Sequence, residues 1–180
     1  MSSVLATTLH DFEDSREECE AYARSTMMDV EDLLNHFQTI CTYYNQPEKT
    51  TVTSRVHEIL TDTTVKLRHY MESVCKTFCA TWKEFGDELE TACYLKNSKW
   101  ALNILRASKC YLDDVHSYLL DLSLDMCGSL TYVSDLIKTL WPEDMMVLPL
   151  WRSFIVWIDD RTEEMLYQQM DKIEQCIARF

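Results

Sequence analysis

The most informative pattern in the chain lies between Lys99 and Trp141, where mostly apolar residues recur every three or four positions. At about 100° per residue, such residues form one long stripe along a helix. The stripe consists of Ala101, Ile104, Ser108, Tyr111, Val115, Tyr118, Leu119, Leu122, Met126, Val133, Ile137 and Leu140. Leu120 and Leu124 lie one turn apart on nearly the opposite side. Because a helix with two apolar sides either lies at the centre of a domain or faces a partner, this pair is a candidate partner-binding element.

The same periodicity predicts three further long helices. Their apolar positions begin near Leu9, near Val52 and after Pro149, and each series is spaced mostly by threes and fours. The breaks between the helices are predicted at Pro47, Asn97–Ser98 and Pro142. Proline disfavours a continued helix, so Pro47 and Pro142 fit the breaks. Asn97 suits the C-terminal end of the second helix, and Ser98 is the predicted N-cap of the third.

Four long helices joined in this way predict an all-α fold, an antiparallel up-down-up-down bundle. Only two glycines and three prolines occur, which is too few for the tight turns that a sheet would need. If the helices break at Gly86 or Gly128, the alternative is a globular bundle of five to seven helices. Residues 1–8 lack a periodic pattern and are predicted to be flexible, which leaves one helical domain over residues 9–180.

The chain is strongly acidic, with a formal net charge of −13. An anionic surface repels phosphate backbones, so nucleic acid and anionic membranes are poor partners, whereas a basic protein segment is attracted. No uncharged apolar run approaches the ~20 residues of a transmembrane helix. The sequence therefore predicts a protein partner rather than a nucleic acid or a membrane.

Eight cysteines occur, but the first ten residues lack the basic and apolar regions of a secretory signal. A chain of long helices also does not need disulfides in the way that a small secreted domain does. We therefore expect reduced thiols and an intracellular protein, in the cytoplasm or the nucleus.

Five potential metal ligands fall at one level of the bundle if the helices fold back at turns near residues 48–49, 97–98 and about 145–146. In that register Cys19 faces Cys79, Cys79 faces His116, and His116 faces Gln175 and Cys176. The set at this level is Cys19, Cys75, Cys79, His116 and Cys176. Zinc binds such donors, but no CxxC pair is present and cysteine is a common small core residue. We predict core residues here and no metal site.

Motifs for catalysis are absent from the sequence. It contains no Gly-x-Ser-x-Gly element, no glycine-rich phosphate loop and no Glu-x-x-His pair for a di-iron bundle. The sequence therefore predicts no catalytic residues, no cofactor and no enzymatic activity.

The segment from Trp141 to Trp157 is unusually apolar for a connector. Tryptophan and methionine are enriched in the cores of protein interfaces, so the segment is either an end cap of the bundle or a docking site. Together with the leucine pair, the candidate partner-binding residues are Leu120, Leu124, Trp141, Met145, Met146, Leu148, Trp151 and Trp157.

Two functions are compatible with this architecture. The first is a non-enzymatic interaction module (an adaptor, regulator or assembly subunit) that binds a helix or a basic segment through an apolar strip with an acidic rim. A second copy of the chain is another partner that such a strip would suit. The alternative function is a helical bundle that holds a lipid or another hydrophobic molecule between its helices.

Overall fold

The computed structural model describes residues 3–44, 51–138 and 147–180, and all the regular elements in these ranges are helices. In chain order they are α1 (Ser3–Tyr44), α2 (Thr51–Glu72), a π-helical segment (Ser73–Phe78), α3 (Cys79–Tyr94), α4 (Ser98–Lys138) and α5 (Val147–Ala178). Because α2, the π-helical segment and α3 follow one another without a break, the described residues form four long helices. The predicted all-α bundle is confirmed.

The first and the last helix both begin earlier than predicted. Helix α1 begins at Ser3 rather than near Leu9, and the side chains of Leu5 and Thr8 are buried. Helix α5 begins at Val147, so Pro149 lies in its first turn. Backbone amides of the first turn have no acceptor within the helix, so the amide proton that proline lacks costs no helical hydrogen bond. Residues of the predicted flexible segment thus belong to the first helix.

Neither glycine breaks its helix, because α3 continues through Gly86 and α4 continues through Gly128. A Cβ atom added to Gly86 would lie 3.4 Å from the Cε1 atom of Phe12, so this glycine allows a close approach of α1. The alternative of a five- to seven-helix fold broken at these two residues is therefore wrong.

The spacing of the buried residues explains the π-helical segment. Tyr70, Val74, Phe78 and Trp82 are all buried and follow one another at intervals of four. In a regular helix each interval of four would rotate the stripe by about 40°, because 3.6 residues complete a turn. A π-helical turn contains more residues, so it returns the side chains of this series to the same face.

The turn between α3 and α4 is capped one residue earlier than predicted. Lys96 has a positive φ of 55°, and the amides of Lys96 and Asn97 donate hydrogen bonds to the carbonyls of Cys93 and Ala92. These two bonds form a Schellman motif. The side chain of Asn97 accepts a hydrogen bond of 3.0 Å from the amide of Trp100 and so caps α4, the role expected of Ser98.

The helices group into two compact units, and each contains a part of every long helix. The first unit comprises the described residues up to Ser25 together with Ser73–Tyr118 and Arg161–Phe180. The second comprises the described residues of Thr26–Glu72 and Leu119–Asp160. The single domain over residues 9–180 stays a prediction.

Within the first unit the neighbouring helices are antiparallel. The thiol of Cys93 lies near the carbonyl of Leu5, and the thiol of Cys75 lies near the carbonyl of Ala23, so numbers rise along α1 as they fall along the facing helix. Between these levels Phe12 stacks on the fully buried Trp82, with ring centroids 5.0 Å apart. The predicted antiparallel order of the first two long helices is confirmed.

The central stripe of α4 is buried at six of its twelve predicted positions, and the side chains of Ile137 and Leu140 lie outside the described part of the structure. Ala101, Ile104, Ser108, Leu119, Met126 and Val133 are buried. Leu105, Leu112 and Leu130 are buried as well, although they were not assigned to the stripe, and Tyr118 is exposed. The buried face of α4 is therefore broader than the predicted stripe and is turned slightly away from Tyr118.

Candidate functional site

The two leucines that were predicted to lie opposite the main stripe have different environments. Leu124 is 63% exposed, which is high for a leucine within a helix, whereas Leu120 is half-buried. Leu124 is thus the member of the pair that presents apolar surface outside the core of the second unit.

The predicted residues of the tryptophan-rich segment are only partly visible. Trp141, Met145 and Met146 lie outside the described residues. Leu148 and Trp151 belong to α5, but their side chains also lie outside the described part of the structure. Trp157 is 43% exposed on α5. The segment's assignment as a docking site stays a prediction.

Leu124 lies at the edge of a groove of about 570 Å³ in the second unit, between α2 and α4. Helix α4 contributes Leu124, Asp125, Gly128, Ser129 and Tyr132 to its lining. Leu124, Gly128 and Tyr132 are spaced by four, so they follow one face of α4. All three are exposed. The exposed leucine is therefore part of a concave surface, not an isolated side chain.

Helix α2 forms the other wall of the groove with Arg55, Glu58, Ile59 and Asp62. Ile59 is buried and supplies apolar surface. Together with Asp125 on α4, the wall brings three carboxylates and one guanidinium to the groove. The guanidinium of Arg55 is already paired with Glu58 at 3.2 Å. The rim of the groove is therefore mainly acidic.

Lys66 shows that the carboxylates at one end of this rim bind an ammonium group. Its Nζ atom lies 2.8 Å from Asp62 and also contacts Asp125, so it bridges α2 and α4. The hydrogen bonds to Asp125 and Asp62 raise the pKa of Lys66 above its ordinary value. The two carboxylates are thus spaced to share one positively charged group.

Gly128 leaves the middle of the α4 wall open. A Cβ atom built on this residue would have no heavy atom within 4 Å, so nothing in the described structure packs against the position. Glycine in a helix costs about 1 kcal/mol relative to alanine. The packing of the described chain offers no compensation for that cost.

The predicted register of potential metal ligands is correct for one turn and wrong for another. The Sγ atom of Cys79 lies 3.8 Å from the carbonyl oxygen of Cys19, as predicted. His116, however, lies 3.7 Å from Glu163 and packs on Tyr167 instead of facing Cys176. The residues of α5 that face His116 therefore come earlier in the chain than the predicted Gln175 and Cys176.

These donors do not form a ligand set in the described residues. None of them belongs to a group of three whose ligand atoms lie within 4.8 Å of one another. Burial raises the pKa of the thiols of Cys19, Cys79 and Cys176, which disfavours the thiolate form that binds metals. The seven cysteines whose side chains the structure describes form no disulfide.

Sequence reasoning missed the α2 wall of the groove and the role of Gly128. A signal for the α4 wall was present, since Leu124, Gly128 and Tyr132 repeat at intervals of four away from the main stripe. No such signal marks the α2 wall, because which face of α2 lies beside α4 depends on tertiary packing.

Comparisons with known proteins give no relative. No protein-family model matches the chain, and neither a curated protein nor a solved structure is significantly similar to it. Within the described residues, no helix is both long and apolar enough to cross a lipid bilayer. The groove between α2 and α4 is therefore interpreted from its own geometry.

Proposed function

We propose that this protein is a non-enzymatic interaction module that binds a positively charged, amphipathic helix of a partner protein in the groove between α2 and α4. The observation that carries the proposal is the 63% exposed Leu124 in a concave surface with a carboxylate, Asp125, beside it. Burial of such a leucine contributes about 1.5–3 kcal/mol, so a partner that covers it gains substantial binding energy.

The shape of the groove supports a helical partner. It lies between two antiparallel helices, and its apolar surface comes from Ile59, Leu124 and Tyr132. An amphipathic helix laid in such a groove contacts it with residues at positions i, i+3, i+4 and i+7. This mode of binding needs no exposed sheet edge and no flexible loop, and the described chain offers neither beside the groove.

The charge of the groove favours a cationic partner. Glu58, Asp62 and Asp125 line it, and their pairing with Arg55 and Lys66 leaves a formal charge of −1 at the groove. The whole chain carries a net charge of −13. Complementary charge mainly increases the association rate and the specificity of binding. A second copy of this chain also carries a net charge of −13 and would be repelled overall, so a heterologous basic helix suits the surface better.

The alternative function, binding of a lipid between the helices, is not favoured by any observation in the described residues. The apolar gap in the core of the second unit is lined by Leu67, Tyr70, Met126, Ile155 and Ile158. It has no volume for even a water molecule.

An intracellular setting is part of the proposal and is supported by the lack of disulfides among the described cysteines.

Substitution of Leu124 tests the proposal. The probe is a fluorescent amphipathic peptide of ~18 residues, long enough for a helix, with leucine on one face and lysine on the other. We expect Leu124→Asp to weaken its binding at least about tenfold, because a charge replaces the apolar contact. Fluorescence anisotropy measures the affinity at low and high salt.

Val156→Asp is the matched control, because Val156 is also apolar and exposed in the second unit but does not line the groove. Circular dichroism establishes that both variants keep their helical content. Equal binding of the peptide to wild type and Leu124→Asp would contradict the proposal. A peptide in which glutamate replaces lysine is expected to bind more weakly than the lysine peptide.

A further inference from the structure

Gly128 is one of four residues that surround a hole on the surface of α4. Asp125, Gly128, Ser129 and Tyr132 occupy positions i, i+3, i+4 and i+7 and line the groove. Four residues with this spacing are the ones that surround a side chain of a facing helix in knobs-into-holes packing. Every helical surface offers such sets of four, and this one is distinguished by an exposed glycine and by its place in a groove.

The glycine makes this hole deeper than any other residue would. The direction of its missing Cβ is open, with no heavy atom within 4 Å, whereas the corresponding position at Gly86 is filled by Phe12. Gly86 thus has an internal reason for being glycine, and Gly128 has none in the described chain. A close approach from outside the chain is what would use the space that Gly128 leaves.

We infer that Gly128 determines the specificity of the groove by accepting one large apolar side chain, such as phenylalanine, from the partner helix. This inference rests on the proposed function, since it names the side chain that the bound helix must carry. The groove volume of about 570 Å³ accommodates an aromatic side chain together with its neighbours.

The charged residues beside the hole indicate which residue of the partner helix lies next to that apolar side chain. Asp125 belongs to the hole itself, and Asp62 faces it from α2, where both already share the ammonium group of Lys66. Asp62, Asp125 and Lys66 together keep one uncompensated negative charge, which a lysine or arginine one turn from the apolar side chain of the partner would meet. The partner segment is a helix with a large apolar residue and a basic residue three or four positions apart.

Two peptides and one substitution test the inference. Both peptides have the leucine and lysine pattern described above, but one carries phenylalanine at its central apolar position and the other carries alanine. We expect wild-type protein to prefer the phenylalanine peptide by about tenfold or more. In Gly128→Leu the added side chain fills the hole, so this preference is expected to disappear. Fluorescence anisotropy of both peptides with both proteins gives the four affinities.

Ser153→Leu controls for the added leucine, because Ser153 is exposed in the second unit and lies outside the groove. It should keep the preference of the wild type. An equal preference in Gly128→Leu and wild type would overturn the inference while leaving the proposed function intact. If Leu124→Asp also bound both peptides as wild type does, the proposed function itself would fail.

Discussion

The hydroxyl of Ser15 donates a hydrogen bond of 2.6 Å to the side-chain carbonyl of Gln169, and both side chains are completely buried. The same hydroxyl accepts a bond of 3.0 Å from the indole nitrogen of Trp82. The amide of Gln169 then donates to Glu18, which pairs with Lys172. This chain of bonds joins α1, α3 and α5 in the first unit and fixes their relative register, because each polar group is satisfied only in this alignment.

Ser15→Ala should destabilise the protein by about 1–3 kcal/mol. The change leaves the Trp82 indole N–H and the Gln169 carbonyl buried without this partner, and an unsatisfied buried group costs that much. Urea denaturation followed by circular dichroism measures the loss. Ser117→Ala, an exposed position on α4, is the control and should change stability by less than about 0.5 kcal/mol. Equal stabilities of the two variants would contradict the assigned role of Ser15.

Thr8→Val should stabilise the protein by about 1 kcal/mol. The hydroxyl of Thr8 is buried and has no hydrogen-bond partner within the described residues, so its replacement by a methyl group of similar size removes a desolvation cost. Thr7→Val provides the control, because Thr7 is the exposed neighbour in the same helix. Thermal unfolding compares the two. A destabilised Thr8→Val would mean that the hydroxyl is satisfied in solution.

The two glycines should respond differently to alanine. Gly128→Ala is expected to raise the free energy of unfolding by up to about 1 kcal/mol, because alanine favours the helix and the new methyl group meets no atom. In Gly86→Ala the methyl group would touch Phe12 at 3.4 Å, so the gain should be smaller or absent. Urea midpoints of both variants test this order, and the reverse order would show that Gly128 is packed in solution.

Acid should remove a stabilising contribution of Glu18. Partial burial alone would raise the pKa of Glu18, but hydrogen bonds from Lys172 and Gln169 outweigh it and lower the pKa below the ordinary value of 4.5. Because the folded pKa is lower than the unfolded one, the contribution is present above pH 4.5 and is lost as the pH falls through the folded pKa.

Glu18→Gln should therefore make stability less dependent on pH in this acidic range. The difference is expected to be below about 1 kcal/mol, because the carboxylate is partly exposed to solvent. Urea unfolding at a series of pH values measures it, with Lys172→Gln as a second variant that removes the same pair. If Glu18→Gln followed the wild-type pH dependence, the pairing with Lys172 would contribute nothing to stability.

The fold could be predicted from the sequence because the four helices are long and strongly periodic. Their ends were less certain, since Leu5 and Thr8 are buried by packing on other helices and not by a local pattern. The exposure of Leu124 followed from its position opposite the main stripe of α4. Leu120 lies one turn away on the same face but is half-buried, which its position along the helix does not predict.

The contacts between helices could be predicted only where a short turn fixes the register. Cys19 and Cys79 meet as expected, whereas His116 faces Glu163 and Tyr167 instead of Gln175 and Cys176. The groove wall from α2 and the bond between Ser15 and Gln169 depend on such contacts, so periodicity within one helix does not reveal them.

The π-helical segment Ser73–Phe78 is also a place where the fold can tolerate the deletion of one residue. A π turn accommodates one residue more than an α turn, while the helix on either side keeps its direction. A chain shorter by one residue between Tyr70 and Trp82 would close this stretch into a regular helix, with spacings nearer 3.6 and both flanking stripes still in phase. A related sequence with one residue fewer at this place would therefore be compatible with an unchanged fold.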